Sequence, residues 1–299
     1  MTYSIVALDR ESGELGVAVQ SHYFQVGPTV PWALAGVGAV ATQSRVNVSF
    51  GPLGLDYLRA GYGAAQTLKA LLAGDPEPYL RQVAVVDASG AVAVHTGEKC
   101  IAAAGHKTGD AFSVQANLME KDTVWDAMAH AFTSADGRLA ERMMAALEAA
   151  EAEGGDVRGK QSAAMLVVSG NPTGRSWEDR VIDLRVEDSS DPLGELKRLL
   201  RIKRSLLMDY EADRLEAKGE IAAAMQKRED AVDMAPEIEE HAFWAGVRIA
   251  ELGDLERGCT LIARAVEKEP RWKMTIPRLV AVGRVPADLA RAIQARLSL

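Results

Sequence analysis

Cysteine is nearly missing from this chain: Cys100 and Cys259 stand far apart, with no CxxC pair and no Cys/His spacing around either. That excludes a disulfide framework and a zinc site, and each thiol reads as a small buried apolar residue. The five histidines show no metal-ligand spacing, so neither a metal nor a cofactor is expected. Long apolar runs are also missing. None reaches the ~20 residues needed to span a bilayer, and the start of the chain has no basic segment followed by an apolar one. The expectation is a cytoplasmic protein with no membrane partner. A basic excess is absent as well: the net charge is -8, and residues 201–299 balance 17 basic against 17 acidic side chains, so the acidic excess lies in residues 1–200. A phosphate backbone would be repelled there, which argues against a nucleic-acid partner.

With 299 residues, 48% hydrophobic and 25% charged, the chain can form two domains, each with its own core. Its first residues set the frame. Two apolar β-rich runs, through Asp9 and from Gly16 to His22, flank the polar stretch Arg10-Glu11-Ser12-Gly13-Glu14 and predict a β-hairpin starting at the very beginning. Thr2 therefore opens a strand. If Met1 is removed, as a small residue at position 2 permits, Thr2 carries a hydroxyl and a free α-amine with an unperturbed pKa near 8. Nucleophile and base would then be one residue. The plain alternative is an ordinary anchored terminus.

Further on, Ala33 to Gln43 reads as one buried strand with Thr42 and Gln43 at its mouth. Gly51 to Gly74 has leucines at helical spacing broken by Gly61-Tyr62-Gly63, predicting two helices. Gln82 to Asp87 and Ala91 to His95 form a second hairpin, and Ala111 to Leu118 another strand. Helices follow over Asp122 to Ser134 and Leu139 to Glu153, then strands Gln161 to Val168 and Val181 to Val186. Asp191-Pro192 opens a helix through Leu200, with Asp as N-cap and Pro in the first helical position. Strands grouped in hairpins rather than alternating singly with helices predict antiparallel sheets covered by helices, an α+β plan.

Neutral hydrogen-bonding side chains gather at the predicted strand ends: Ser21, His22, Thr42, Gln43, Asn47, Ser113, Gln115, Asn117, Gln161 and Ser162. Amides stabilise a developing negative charge without a proton to trade, so Gln43 and Asn117 are candidate orienting or oxyanion groups. Singly, such residues also satisfy turn backbones. Gly105-His106-Lys107-Thr108-Gly109 and the Gly155 to Ser162 stretch read as polar loops lining a cleft. Ser21, Asn47, His106, Arg158 and Gln161 are the candidate substrate-binding residues, with Arg158 suited to a bidentate contact on a carboxylate.

Thr2-Tyr3-Ser4-Ile5-Val6-Ala7, the Gly-Val-Gly-Ala-Val-Ala-Thr-Gln segment ending at Gln43, Gly51-Pro52-Leu53-Gly54-Leu55, Gly105-His106-Lys107-Thr108-Gly109, Arg158-Gly159-Lys160-Gln161-Ser162-Ala163-Ala164 and Asp183 to Asp188 with Asp191-Pro192 occur in one order. Together they resemble the DUF1028 family, a domain of unknown function, over about residues 2 to 200. Val46-Asn47-Val48-Ser49-Phe50 departs from that pattern. The family in turn resembles the N-terminal-nucleophile hydrolases, which implies a four-layer αββα sandwich and places Thr2 at the nucleophile position.

The last hundred residues follow another pattern. Gly219 and Gly253, Pro236 and Pro270, and Ala231-Val232 and Ala265-Val266 each recur at an interval of 34 residues. That period, with Gly between helices and Pro closing each pair, resembles the tetratricopeptide repeat, with Ala224 and Gly258 at its small positions. The expected plan is thus an αββα domain over 1–203 and an all-α helical-repeat domain over 204–299. Trp272 to Leu299 would cap the stack. Two functions are compatible with this: an amidohydrolase acting on a small-molecule or peptide-like amide, or a non-catalytic ligand-binding or scaffolding protein. The repeats offer a surface for a protein partner, internal docking or an oligomer contact, and a homo-oligomer is expected.

Overall fold

A computed structural model describes residues 2–298, which form two compact units meeting between Leu200 and Arg201. The expected boundary at 203/204 falls just beyond that point.

The first unit opens with the hairpin β1 (Thr2–Leu8) and β2 (Leu15–Ser21), then β3 (Pro31–Leu34) and β4 (Gly38–Ser44), α1 (Phe50–Arg59) and α2 (Ala64–Ala73), β5 (Arg81–Asp87) and β6 (Val92–Thr96). It continues with β7 (Gly105–Gly109), β8 (Phe112–Asn117), α3 (Val124–Ser134), α4 (Leu139–Ala152), β9 (Ser162–Val168), β10 (Arg180–Val186) and the start of α5 (Pro192–Ala217). The strands form two antiparallel sheets, one in the order β10-β9-β2-β1-β8-β7 and one in the order β3-β4-β5-β6.

Two sequence expectations are corrected. The run over 33–43 is not one strand but most of a hairpin, because Gly36 turns the chain at φ +69°. Its two strands merged in the sequence because both are apolar. The Gly105 to Gly109 segment is not a loop but the edge strand β7; its polar, lysine-bearing sequence suits an exposed edge that should not pair with another chain.

Side-chain alternation along the strands divides the cores. Tyr3, Ile5, Val114 and Met165 pack with Met128, Phe132, Met143, Leu147 and Leu196 from α3, α4 and α5. Val6, Val17, Val19 and Leu166 face the other way and pack with Ala39, Ala41, Ala84 and Val86 of the four-stranded sheet. That sheet's far face, Val40, Val83 and Val85, is covered by Phe50, Leu55, Leu68 and Leu71. Fully burying one such Val, Leu, Ile or Phe contributes about 1.5–3 kcal/mol, so the register of β1 is strongly fixed. A slip of one residue would turn Thr2 away from the inter-sheet layer. Asp191 caps α5 as expected, its Oδ1 accepting the Gly194 N–H at 3.4 Å.

The second unit contains the rest of α5, α6 (Ile221–Met234), α7 (Glu239–Glu251), α8 (Leu255–Lys268), α9 (Thr275–Ala281) and α10 (Ala287–Leu297). Helix α5 runs well past the predicted end at Leu200. Gly219 and Gly253 sit between paired helices at φ +80° and +106°, a conformation glycine adopts without strain. Phe243, Ile249, Ile262 and Ile293 are fully buried in one core, where Phe243 stacks on Trp272 at 4.6 Å. Among the described residues, no helix is long and apolar enough to cross a membrane.

Candidate functional site

Strand β1 lies between β2 and β8, and the registers set Thr2 opposite Ser21 on one side and Asn117 on the other. The alternation that sends Val6 between the sheets sends Thr2 and Ser4 there too. One end of the inter-sheet layer is therefore polar where the rest is apolar. Thr2 is 4% exposed, and its Oγ1 donates to Ser21 Oγ at 3.0 Å.

Four buried amides fill this polar end. Gln43 Nε2 donates to the Thr2 carbonyl at 3.2 Å and to Gln82 Oε1 at 2.7 Å. Asn117 Nδ2 reaches the same two acceptors at 3.4 and 2.8 Å. Gln115 Nε2 donates to Ser4 Oγ at 2.6 Å, and Ser4 Oγ donates in turn to Gln43 Oε1 at 2.7 Å. Gln82 Nε2 closes the network on Thr96 Oγ1, Gly105 O and Ala116 O. Buried polar groups linked this way rigidify one arrangement, and here they fix the carbonyl of Thr2. Asn117 Oδ1 is the exception, a buried acceptor with no partner.

The backbone is bent just beyond both amides that hold Thr2. Ser44, after Gln43, has φ +70°, and Leu118, after Asn117, has φ +57°. A non-glycine residue in this region costs roughly 1–3 kcal/mol and persists only where its surroundings over-determine it. At Leu118 they do: its N–H donates to Ile101 O at 2.8 Å and its carbonyl accepts from Val157 N at 3.2 Å.

On the loop before β9, the buried Asp156 carboxylate accepts Arg158 Nε at 3.0 Å and Nη2 at 2.7 Å, and the His22 N–H at 3.4 Å. Behind Thr2, on the helix side, Tyr3 donates to Glu151 Oε2 at 2.7 Å; burial and then the Glu151 charge push its phenol well above its usual pKa. Burial, with His95 as a lesser cause, lowers the pKa of His106, whose Nδ1 lies 2.8 Å from Thr96 Oγ1.

The structure thus brings Thr2, Ser21, Gln43 and Asn117 together. Gln161 is at the same strand end, its N–H donating to Ser21 O at 3.2 Å and its side chain to Asp188 at 3.0 Å. Arg158 is near but has its fork on Asp156. His106 joins only through Thr96 and Gln82. Asn47 is held by Asp75, at 3.1 Å, and by Ser49. Ser4, Gln82, Thr96 and Asp156 were not singled out in the sequence; for Ser4 and Gln82 the signal was a polar residue in phase with the buried side of an apolar strand. Met1, whose removal the nucleophile reading requires, lies outside the described residues. Among those residues, no three His, Cys, Asp or Glu side chains are grouped to hold a metal ion.

The family model described as a family of unknown function, DUF1028, matches residues 2–196. No curated protein matches the chain. Among solved structures, the crystal structure of a Silicibacter pomeroyi protein assigned to DUF1028 is similar, with a TM-score of 0.61 and 29% identity over 67% of this chain and 84% of that one.

Proposed function

This chain belongs to the DUF1028 family, and we propose that it is an amidohydrolase in which Thr2, freed of Met1, attacks a small or peptide-like amide. The observation that carries the proposal is the fixing of one terminal threonine from two sides: its hydroxyl on Ser21 and its carbonyl under the Gln43 and Asn117 amides. Holding a nucleophile in one geometry removes orientational entropy from the reaction.

In the proposed reaction the Thr2 α-amine takes the hydroxyl proton as Oγ1 bonds to the substrate carbonyl carbon. The resulting ammonium gives that proton to the leaving nitrogen as the C–N bond breaks. Water then hydrolyses the Thr2 ester, with the α-amine again as base and Oγ1 as leaving group. The hydrogens of Gln43 Nε2 and Asn117 Nδ2 already have acceptors within the protein, which favours an orienting role over an oxyanion role. The order helix, sheet, sheet, helix supports reading the first unit as an αββα sandwich of N-terminal-nucleophile type.

The test combines intact mass with Thr2→Ala and Thr2→Ser variants, assayed on a panel of N-acyl amino acids and peptide amides. A mass lacking Met1, loss of turnover in Thr2→Ala with unchanged circular dichroism, and partial turnover in Thr2→Ser are expected. Unchanged turnover in Thr2→Ala removes Thr2 as nucleophile.

A scaffolding role is the second reading, and the second unit favours it. Its helix pairs, with glycine turns 34 residues apart, support a tetratricopeptide-like arrangement. A cavity of about 280 Å³ there, lined by Asp209, Asp213, Arg228, Trp244, Arg248 and Arg284 among others, offers charged and aromatic contacts to a protein segment or a second copy of the chain.

A further inference from the structure

The loops at the Thr2 end of the first unit expose apolar side chains. Tyr23 and Phe24 follow β2, Val48 follows β4, Ile101 follows β6 and Val157 precedes β9, each between 39% and 55% exposed. Ile101, Val157 and Tyr23 are tied through the backbone to neighbours of site residues, and Phe24 and Val48 adjoin residues so tied. Leu118, next after Asn117, accepts from the Val157 N–H and donates to the Ile101 carbonyl. Ser162, paired with Ser21 across the β2 and β9 ladder, donates its hydroxyl to the Tyr23 carbonyl at 2.5 Å. Thr42, just before Gln43, donates to the carbonyl of Asn47 at 3.1 Å, beside Val48. Tyr62 and Trp177, also exposed, lie in connections away from these strand ends.

Five exposed apolar side chains thus lie on the loops at the same strand ends as the polar floor, and we call them its collar. Ligand sites have this composition: apolar walls with a few placed polar groups. Folding itself gains nothing from leaving such surface in water. Most cations of the same loops are already engaged in ion pairs. Arg45 pairs with Glu77, Arg81 with Asp75, Arg158 with Asp156, and Lys160 with Glu151 and Asp191. A substrate carboxylate would have to break one of these pairs or draw Lys99 away from the Tyr79 ring, over which its Nζ sits at 4.4 Å.

Resting on the hydrolase reading, we propose that Tyr23, Phe24, Val48, Ile101 and Val157 select amides bearing an aromatic or branched aliphatic group beside the scissile carbonyl. The test is binding of two capped dipeptides, N-acetyl-leucyl-phenylalanine amide and N-acetyl-seryl-serine amide, to the full-length Thr2→Ala protein by calorimetry. The apolar peptide is expected to bind about tenfold tighter or more, and a Tyr23→Ser/Val157→Ser double variant to lose about that factor for the apolar peptide alone. Both side chains are exposed, so the double variant should fold normally, as circular dichroism will show. Equal binding of the two peptides, or a preference that survives the double substitution, overturns the proposal. So does an absent preference together with a dimer that the double substitution dissociates in sedimentation, which would assign the collar to a second copy of the chain. Turnover is read separately. Apolar preference without Thr2-dependent turnover keeps the collar as a ligand site and removes the hydrolase, whereas turnover without preference does the reverse.

Discussion

Thr2 and Ser21 face each other across the β1 and β2 ladder, with their hydroxyl oxygens 3.0 Å apart in a buried setting. Thr2 is the donor, so Ser21 sets the direction of the hydroxyl that would attack. Replacing Ser21 with Ala frees the Thr2 side chain to turn. Under the hydrolase reading, kcat should fall about tenfold to a hundredfold with KM unchanged, because a small misplacement of a reacting atom is costly while substrate contacts stay the same. Urea unfolding should move by about 1 kcal/mol, the net value of one hydrogen bond. An unchanged kcat would show that Ser21 has no part in orienting the nucleophile.

Gln82 is the hub of the amide network, accepting from Gln43 and Asn117 and donating to Thr96, Gly105 O and Ala116 O. Gln82→Leu keeps much of the volume but removes an acceptor from the buried Asn117 amide, which is left with Thr2 O at 3.4 Å, and the donor from two backbone carbonyls. Gln43 Nε2 keeps Thr2 O and Gln115 O, each at 3.2 Å. A loss of about 2–4 kcal/mol is expected, several times the net value of one hydrogen bond, since each stranded group also costs its desolvation. Urea denaturation measures it; a loss below about 1 kcal/mol would mean that water replaces the lost partners.

What could be read in the sequence follows from what each residue shows locally. Gln43 and Asn117 end apolar strands, and a polar residue ending such a strand is visible in one dimension. Gln82 begins one, and its importance comes from its position opposite Gln43 in the β4 and β5 ladder, which only pairing reveals. Arg158 was visible as a cation in a glycine-bounded loop. Its binding to Asp156, two positions back, depends on a turn geometry that composition does not specify. The β3 and β4 hairpin was hidden because Trp32-Ala33-Leu34, the turn Ala35-Gly36-Val37 and Gly38-Ala39-Val40-Ala41 form one unbroken run of apolar residues and glycine, with no polar break at the turn.

Asp75 gives the first unit a specific pH response. Its buried carboxylate accepts Arg81 Nε at 2.9 Å, Asn47 Nδ2 at 3.1 Å and the Glu77 N–H at 2.7 Å. The Arg81 hydrogen bond is the largest cause of a pKa lowered to about 2. A carboxylate whose folded pKa lies below its unfolded value stabilises the protein above about pH 4, and that contribution, about 2 kcal/mol, is lost as pH falls from about 4 to 2. Asp75→Asn should cost about 3–5 kcal/mol at pH 7, because it leaves the buried Arg81 guanidinium without its counter-charge. The stability gap between wild type and variant should narrow by about 2 kcal/mol between pH 5 and pH 2 in urea titrations. A gap that does not change with pH would rule out the ion pair as the source of the stability.

Gly246 of α7 and Gly258 of α8 bring two helix backbones into direct contact in the second unit. A Cβ on Gly246 would lie 2.6 Å from Gly258 O and 2.9 Å from Ile262 N, and one on Gly258 would lie 2.5 Å from Gly246 O. Alanine is favoured over glycine within a helix by about 1 kcal/mol, so propensity alone predicts that either substitution stabilises. The obstructing atoms are backbone and cannot rotate away, and overpacking of this kind costs about 1–3 kcal/mol or more because the helices must separate. The clash should win. Gly253, by contrast, has φ +106° and open space at its Cβ position, so Gly253→Ala carries only a conformational cost of about 1–2 kcal/mol. Hydrogen exchange read by mass spectrometry distinguishes the two causes. Gly246→Ala and Gly258→Ala should accelerate exchange throughout α7 and α8, whereas Gly253→Ala should act mainly at the turn between them. Slower exchange in Gly246→Ala would mean that propensity outweighs contact and that the helices are not packed backbone to backbone.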